Sequence, residues 1–163
     1  MKKTIFTMLF AALTLVATAQ STDNTFEEKD RVYLPDSLID QMPKFEGGME
    51  ALVNFIQKNL EYPDLAKQYG VEGRFVMTFV IDREGMPKDI AAKDCQIEQF
   101  NTTKFGQETE SKQKELKEQF ALLFAKEGAR VIRMMPKWIP GKVKGKSVNV
   151  FYRLPISFRI PNK

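Results

Sequence analysis

The chain has 163 residues, a length that suits one modest domain, and its 25 basic and 21 acidic residues leave a formal net charge of +4. It contains no histidine, which removes the commonest general base and the commonest neutral metal ligand. Its single cysteine, Cys95, excludes an intramolecular disulfide.

The first nineteen residues have the pattern of a cleavable secretory signal peptide. Lys2 and Lys3 precede the apolar segment Ile5–Ala17, and Ala17-Thr18-Ala19 is a cleavage pattern ahead of Gln20. As a helix, that apolar segment spans roughly 20 Å, short of the roughly 30 Å hydrocarbon core of a bilayer. Export, together with a net charge that falls when the two lysines are removed, argues against nucleic acid as a partner.

Residues 20–42 are predicted to form a polar, flexible leader that ends in an extended segment, and residues 43–163 to form the domain. Gly48–Leu60 has apolar residues at spacings of three and four, including Met49, which predicts an amphipathic helix. Pro63 and Asp64 suit the start of a second, short helix, and Gly70 suits its end.

Two strands and a long helix are predicted next. Gly73–Asp82 alternates as a strand does, Asp82–Gly85 has the residues of a hairpin turn, and Lys88–Ile97 is the return strand. A helix is then predicted from Thr109 to Met135 on an apolar stripe. Gly128 lies at the edge of that stripe and marks either a bend or a close approach to another element.

The last third of the chain is predicted to form a corner and a closing strand. Trp138, Pro140 and Gly141 make the corner, and we expect them to be structural. Lys142–Lys146 is a basic turn, able to steer an acidic peptide. From Val148 to Ile160 apolar residues recur at every second position, which predicts a strand.

Pro155 lies inside this closing strand. A proline cannot donate to a sheet ladder, so the strand is predicted at a sheet edge with that position facing outward. An exposed edge is open to pairing with another chain. The alternative is that the domain simply ends in a strand.

The element order predicts an α+β fold: a small three-stranded antiparallel sheet covered on one face by two helices. The sequence has no glycine-rich phosphate loop, no nucleophile elbow and no cluster of metal ligands. We therefore expect no enzyme activity, no cofactor and no metal. An enzyme cleft near Trp138 is a weak alternative.

Five motifs in order resemble the C-terminal domain of TonB, over about Pro43–Ile160. They are Pro43-Lys44-Phe45-Glu46-Gly47-Gly48, Tyr62-Pro63, Gly70-Val71-Glu72-Gly73-Arg74, the hairpin Asp82–Gly85, and Pro136-Lys137-Trp138-Ile139-Pro140-Gly141. The ending Leu154-Pro155-Ile156-Ser157-Phe158 also resembles energy transducers of this type. The leader is much shorter than the family's proline-rich spacer.

The resemblance implies a periplasmic domain in TonB-dependent transport across the outer membrane. Such domains capture a TonB-box peptide of an outer-membrane receptor as a strand added beside their own last strand. By position, the resemblance implies that the peptide-binding residues are Asn59, Tyr62, Pro63, Val148, Asn149, Val150, Phe151, Tyr152, Arg153 and Leu154.

Three alternatives concern the partners. A scaffold protein would use the same edge strand to form a homodimer, without energy transduction. An uncleaved N-terminus would anchor the chain in the inner membrane and make the proton-driven motor complex a partner. A cleaved chain would bind receptor peptides without pulling on them.

Overall fold

A computed structural model describes residues 36–160, so the predicted signal peptide and most of the predicted leader lie outside the described residues. No helix within the described range is long and apolar enough to cross a membrane. In chain order the helices and strands are α1 (Gly48–Asn59), α2 (Asp64–Tyr69), β1 (Val71–Ile81), β2 (Pro87–Phe100), α3 (Glu110–Arg133), β3 (Gly141–Val143), β4 (Lys146–Val148) and β5 (Val150–Phe158).

The main sheet has three antiparallel strands in the order β2-β1-β5, with β1 in the centre. The predicted α+β class and the three-stranded antiparallel sheet are therefore confirmed. Besides the two long helices α1 and α3, the structure contains the short helix predicted between Pro63 and Gly70, which is α2. The ring of Pro63 suits this place, where the chain leaves one helix and begins the next.

The core lies between one face of β1 and the helices. Phe75, Met77 and Phe79 point to this face and are fully buried. A methyl group built on Gly128 of α3 would come within 2.7 Å of the Phe75 ring. Gly128 therefore marks a close approach of α3 to β1, and this is the correct one of the two predicted readings.

The closing segment differs from the single strand predicted from Val148 to Ile160. The predicted basic turn is a separate two-stranded hairpin, in which Gly141 of β3 pairs with Val148 of β4. Asn149 lies between β4 and β5, and its Oδ1 accepts a hydrogen bond from the backbone N–H of Arg83 at 3.2 Å. Strands of three residues are too short to show a period of two, so the sequence did not indicate this hairpin.

The extended segment expected before Pro43 lies against this hairpin. The backbone N–H groups of Asp40 and Gln41 donate to the Lys142 carbonyl at 2.9 and 3.1 Å, and the Lys142 N–H donates to the Gln41 carbonyl at 2.8 Å. Backbone pairing thus begins ahead of the predicted domain boundary at residue 43.

Candidate functional site

β5 is an outer strand of the sheet. It pairs with β1 on one side, and no other described strand pairs with its second side. In an antiparallel pair the residues alternate between those that exchange backbone hydrogen bonds with the neighbour and those that do not. β5 therefore turns every second N–H and C=O away from β1.

Pro155 shows which set faces outward. It lies opposite Val76 of β1 and has no N–H to give to β1, so its position belongs to the outward set. Arg153 and Ser157 share that parity, whereas Tyr152, Leu154 and Ile156 belong to the set that bonds β1. The free edge thus offers the N–H and C=O of Arg153 and Ser157, and only the C=O of Pro155.

The side chains of β5 follow the same alternation. Leu154, Ile156 and Phe158 are buried under the helices, while Arg153 and Pro155 are exposed on the opposite face. The Arg153 guanidinium lies 5.6 Å from the ring centroid of Phe151. The strand is therefore anchored by its apolar face and still presents backbone groups at its outer side.

A buried carboxylate fastens the C-terminal end of β5. Glu72 of β1 is 7% exposed and accepts hydrogen bonds from Arg159 at 3.1 Å and from the Ile160 N–H at 3.2 Å. Gln99 and Asn101 each donate to it at 2.9 Å. Burial acts to raise the pKa of Glu72, but these four donors together outweigh burial and lower it. The carboxylate is therefore held ionised, and β5 is tied to both β1 and the end of β2.

The predicted peptide-binding residues at the N-terminal end of the site fall into two groups. Val150, Phe151, Tyr152, Arg153 and Leu154 all lie in β5. Val148 instead pairs inside the β3–β4 hairpin, and Asn149 is held by the turn between β1 and β2. The edge strand therefore begins two residues later than the sequence indicated.

Of the predicted residues Asn59, Tyr62 and Pro63, Tyr62 contacts the other end of β5. The Asn59 carbonyl accepts a hydrogen bond from Arg130 of α3 at 2.6 Å. The Tyr62 ring meets Phe158 edge-on, with 5.8 Å between the ring centroids. Its hydroxyl has no hydrogen-bond partner among the described residues, and burial, with a contribution from the Glu72 charge, raises its pKa to about 12. The structure therefore separates Tyr62 from the predicted residues at the N-terminal end of β5.

Trp138 fills the space under the N-terminal half of β5. It is 2% exposed, and its ring lies 5.4 Å from Phe45, 6.0 Å from Phe79 and 5.0 Å from Tyr152, measured between centroids. Its backbone N–H donates to the Gly85 carbonyl at 2.9 Å. Pro140 follows the Lys44–Ile139 bridge, and Gly141 is the first residue of β3.

A small pocket lies beside Trp138, where the weaker alternative from the sequence placed a cleft, but its walls were not predicted. It has a volume of about 220 Å³, and its apolar walls include Phe45, Met49, Leu52, Trp138 and Tyr152; we call it the α1 pocket. Met49 was predicted to be part of the core-facing stripe of α1, yet its side chain is 62% exposed. The sequence does contain an indication of the pocket. Met49 and Val53 extend the apolar stripe of α1 beyond the part of the helix that is buried.

Comparison with known proteins gives matches among solved structures. No family model matches the sequence, and no curated protein matches it. The chain is similar to two NMR solution structures of the TonB C-terminal domain of Helicobacter pylori, each at 18% sequence identity. One match covers 69% of this chain and 79% of that chain with a TM-score of 0.38, and the other covers 70% and 95% with a TM-score of 0.31.

Proposed function

We propose that the domain binds an extended peptide by adding it as a further strand to the free edge of β5. In the cell this peptide is a TonB-box-like segment of an outer-membrane receptor, and the domain acts in the periplasm in TonB-dependent transport. The observation that carries the proposal is the one-sided pairing of β5, with Pro155 in its outward set. The sequence motifs that resemble the TonB C-terminal domain support the choice of partner.

The free edge of β5 is long enough to pair with a peptide strand, and hydrogen bonds hold both of its ends in place. Nine residues of extended strand span about 30 Å. The hydrogen bonds of Glu72 at one end and of Asn149 at the other hold the strand in place before any partner arrives. Such preorganisation reduces the ordering cost of binding.

Pro155 restricts where the peptide pairs. A strand that crosses Pro155 meets a carbonyl there but no N–H, so it loses one hydrogen bond at that position. Arg153 offers both groups. The peptide strand therefore pairs mainly with Arg153 and with the residues of β5 on its N-terminal side.

The charges near this half of the strand favour an acidic peptide. The β3–β4 hairpin, which leads directly into β5, carries Lys142, Lys144 and Lys146. Arg153 adds a fourth cation on the strand itself. Positive charges at the rim of a binding site raise the association rate of an acidic partner, and the effect falls with added salt.

Replacing Arg153 with proline should weaken peptide binding by about 5- to 150-fold. The change removes one outward N–H, which leaves a peptide carbonyl without a donor at about 1–3 kcal/mol, but it takes no hydrogen bond from β1. The measurement is calorimetric titration of the chain with the peptide acetyl-Glu-Thr-Thr-Leu-Thr-Thr-Ser-amide, at equal folded fraction by circular dichroism.

The matched control is Arg153→Ala, which removes the same side chain and keeps the N–H. It should change the dissociation constant by less than about threefold, since an exposed charge contributes little. Equal affinities for the two variants would show that this backbone position does not bind the peptide. A mass that rises with protein concentration in the absence of peptide would favour the scaffold alternative.

A further inference from the structure

The α1 pocket lies beside the same strand that the proposed peptide would pair with. Tyr152 of β5 forms one of its walls, while Met49 and Leu52 of α1 form another. Phe79, the partner of Tyr152 on β1, is fully buried and is not part of the lining. The pocket therefore adjoins Tyr152 of the edge strand and does not reach its partner Phe79 on the central strand β1.

We propose that the α1 pocket receives one apolar side chain of the added peptide strand and so selects which peptide binds. This inference rests on the strand addition proposed above. The occupant is a single aliphatic side chain on an extended peptide, from the peptide residue that lies opposite Tyr152.

The register of β5 puts that peptide residue in the right place. Tyr152 gives its backbone groups to β1, so on the outer side it forms a position without hydrogen bonds. Side chains at such positions approach more closely than at hydrogen-bonded ones. The peptide residue opposite Tyr152 also points to the same face of the sheet as Tyr152, which is the face that α1 covers.

The lining of the pocket matches an apolar occupant. Among the described residues that line it, Lys44 is the one with a charged side chain, and the remaining walls are aromatic, aliphatic or backbone groups. A volume of 220 Å³ is about seven times the share of one water molecule in the liquid, enough for a branched aliphatic side chain. Met49 is largely exposed at the mouth and loses its contact with water when the pocket fills.

The test compares two peptides that differ at one position, acetyl-Glu-Thr-Thr-Leu-Thr-Thr-Ser-amide and the same peptide with glycine in place of leucine. The leucine peptide should bind the full chain about 10- to 100-fold more tightly, as expected for burial of one leucine side chain. It should also shift the fluorescence of Trp138 more than the glycine peptide does. Trp138 is the sole tryptophan of the sequence, so the signal has one source.

Two lysine variants test whether the preference for the leucine peptide arises at the α1 pocket. Met49→Lys places a charge at the mouth of the pocket and should reduce the leucine-to-glycine ratio to less than about a third of its original value. Val53→Lys is the matched control, because Val53 lies one turn further along α1, is 43% exposed and does not line the pocket. It should leave the ratio unchanged, and both substitutions replace exposed side chains, so folding is retained.

The outcomes separate the two proposals. If both peptides bind equally well, strand addition stands and the pocket proposal is wrong. If Met49→Lys and Val53→Lys change the ratio equally, the selecting site lies elsewhere. If neither peptide binds, strand addition fails and the pocket proposal fails with it.

Discussion

Replacing Trp138 with alanine should lower the free energy of unfolding by about 3–5 kcal/mol, the range for removal of a large buried aromatic side chain. Trp138 is the contact point of four structural parts: Phe45 before α1, Phe79 of β1, Tyr152 of β5 and, through its backbone, Gly85 in the turn between β1 and β2. Its loss leaves a cavity that rings from different elements cannot all move to fill. Urea unfolding followed by circular dichroism measures the change.

Trp138→Phe is the matched control for this prediction. The indole N–H is buried without a hydrogen-bond partner among the described residues, so its removal costs no hydrogen bond. The phenylalanine variant should therefore lose less stability than the alanine variant, by about 1–2 kcal/mol or more. An unchanged urea midpoint for Trp138→Ala, together with lost peptide binding, would instead make Trp138 a recognition residue.

Replacing Gly85 with alanine should lower the free energy of unfolding by about 2–6 kcal/mol. Its φ of +88° lies in the left-handed region, where a side chain adds strain of about 1–3 kcal/mol. A Cβ there would also collide with the carbonyl oxygen of Trp138, so the backbone of the corner has to move, at a further cost of about 1–3 kcal/mol. The measurement is again urea unfolding.

A substitution at Gly145 distinguishes the loss of stability due to backbone strain from the loss due to the clash with Trp138. Gly145 has a φ of +76° in the turn of the β3–β4 hairpin, and a Cβ built on it meets nothing within 4 Å. Gly145→Ala should therefore show the backbone strain alone, about 1–3 kcal/mol. Equal losses for Gly85→Ala and Gly145→Ala would mean that the contact between the turn and Trp138 does not constrain the fold.

The parts of the fold that the sequence predicted are those with a long repeating pattern. β1, α1 and α3 run for 11, 12 and 24 residues, so their periods of two and of about 3.6 stand out. The edge position of β5 was predicted from one residue, Pro155, because a missing N–H has a simple geometric consequence. The β3–β4 hairpin has strands of three residues, which leaves no period to detect.

The candidate site was only partly predictable for a different reason. The backbone edge follows from the alternation of β5, but a pocket depends on which elements meet in space. The lining residues of the α1 pocket come from three separate stretches of the chain, represented by Phe45 and Met49, by Trp138 and by Tyr152. Periodicity assigned Met49 to the core because it lies near Leu52 and Ile56 on the helix wheel, and only packing shows that it remains exposed.

Hydrogen exchange at two adjacent amides of β5 tests strand addition most directly. In the free protein the Arg153 amide faces outward and should exchange rapidly, whereas the Leu154 amide bonds β1 and should exchange slowly. Saturation with acetyl-Glu-Thr-Thr-Leu-Thr-Thr-Ser-amide should slow the Arg153 amide by at least about tenfold and leave the Leu154 amide nearly unchanged. An Arg153 amide that exchanges equally fast with and without saturating peptide would contradict peptide binding at the β5 edge.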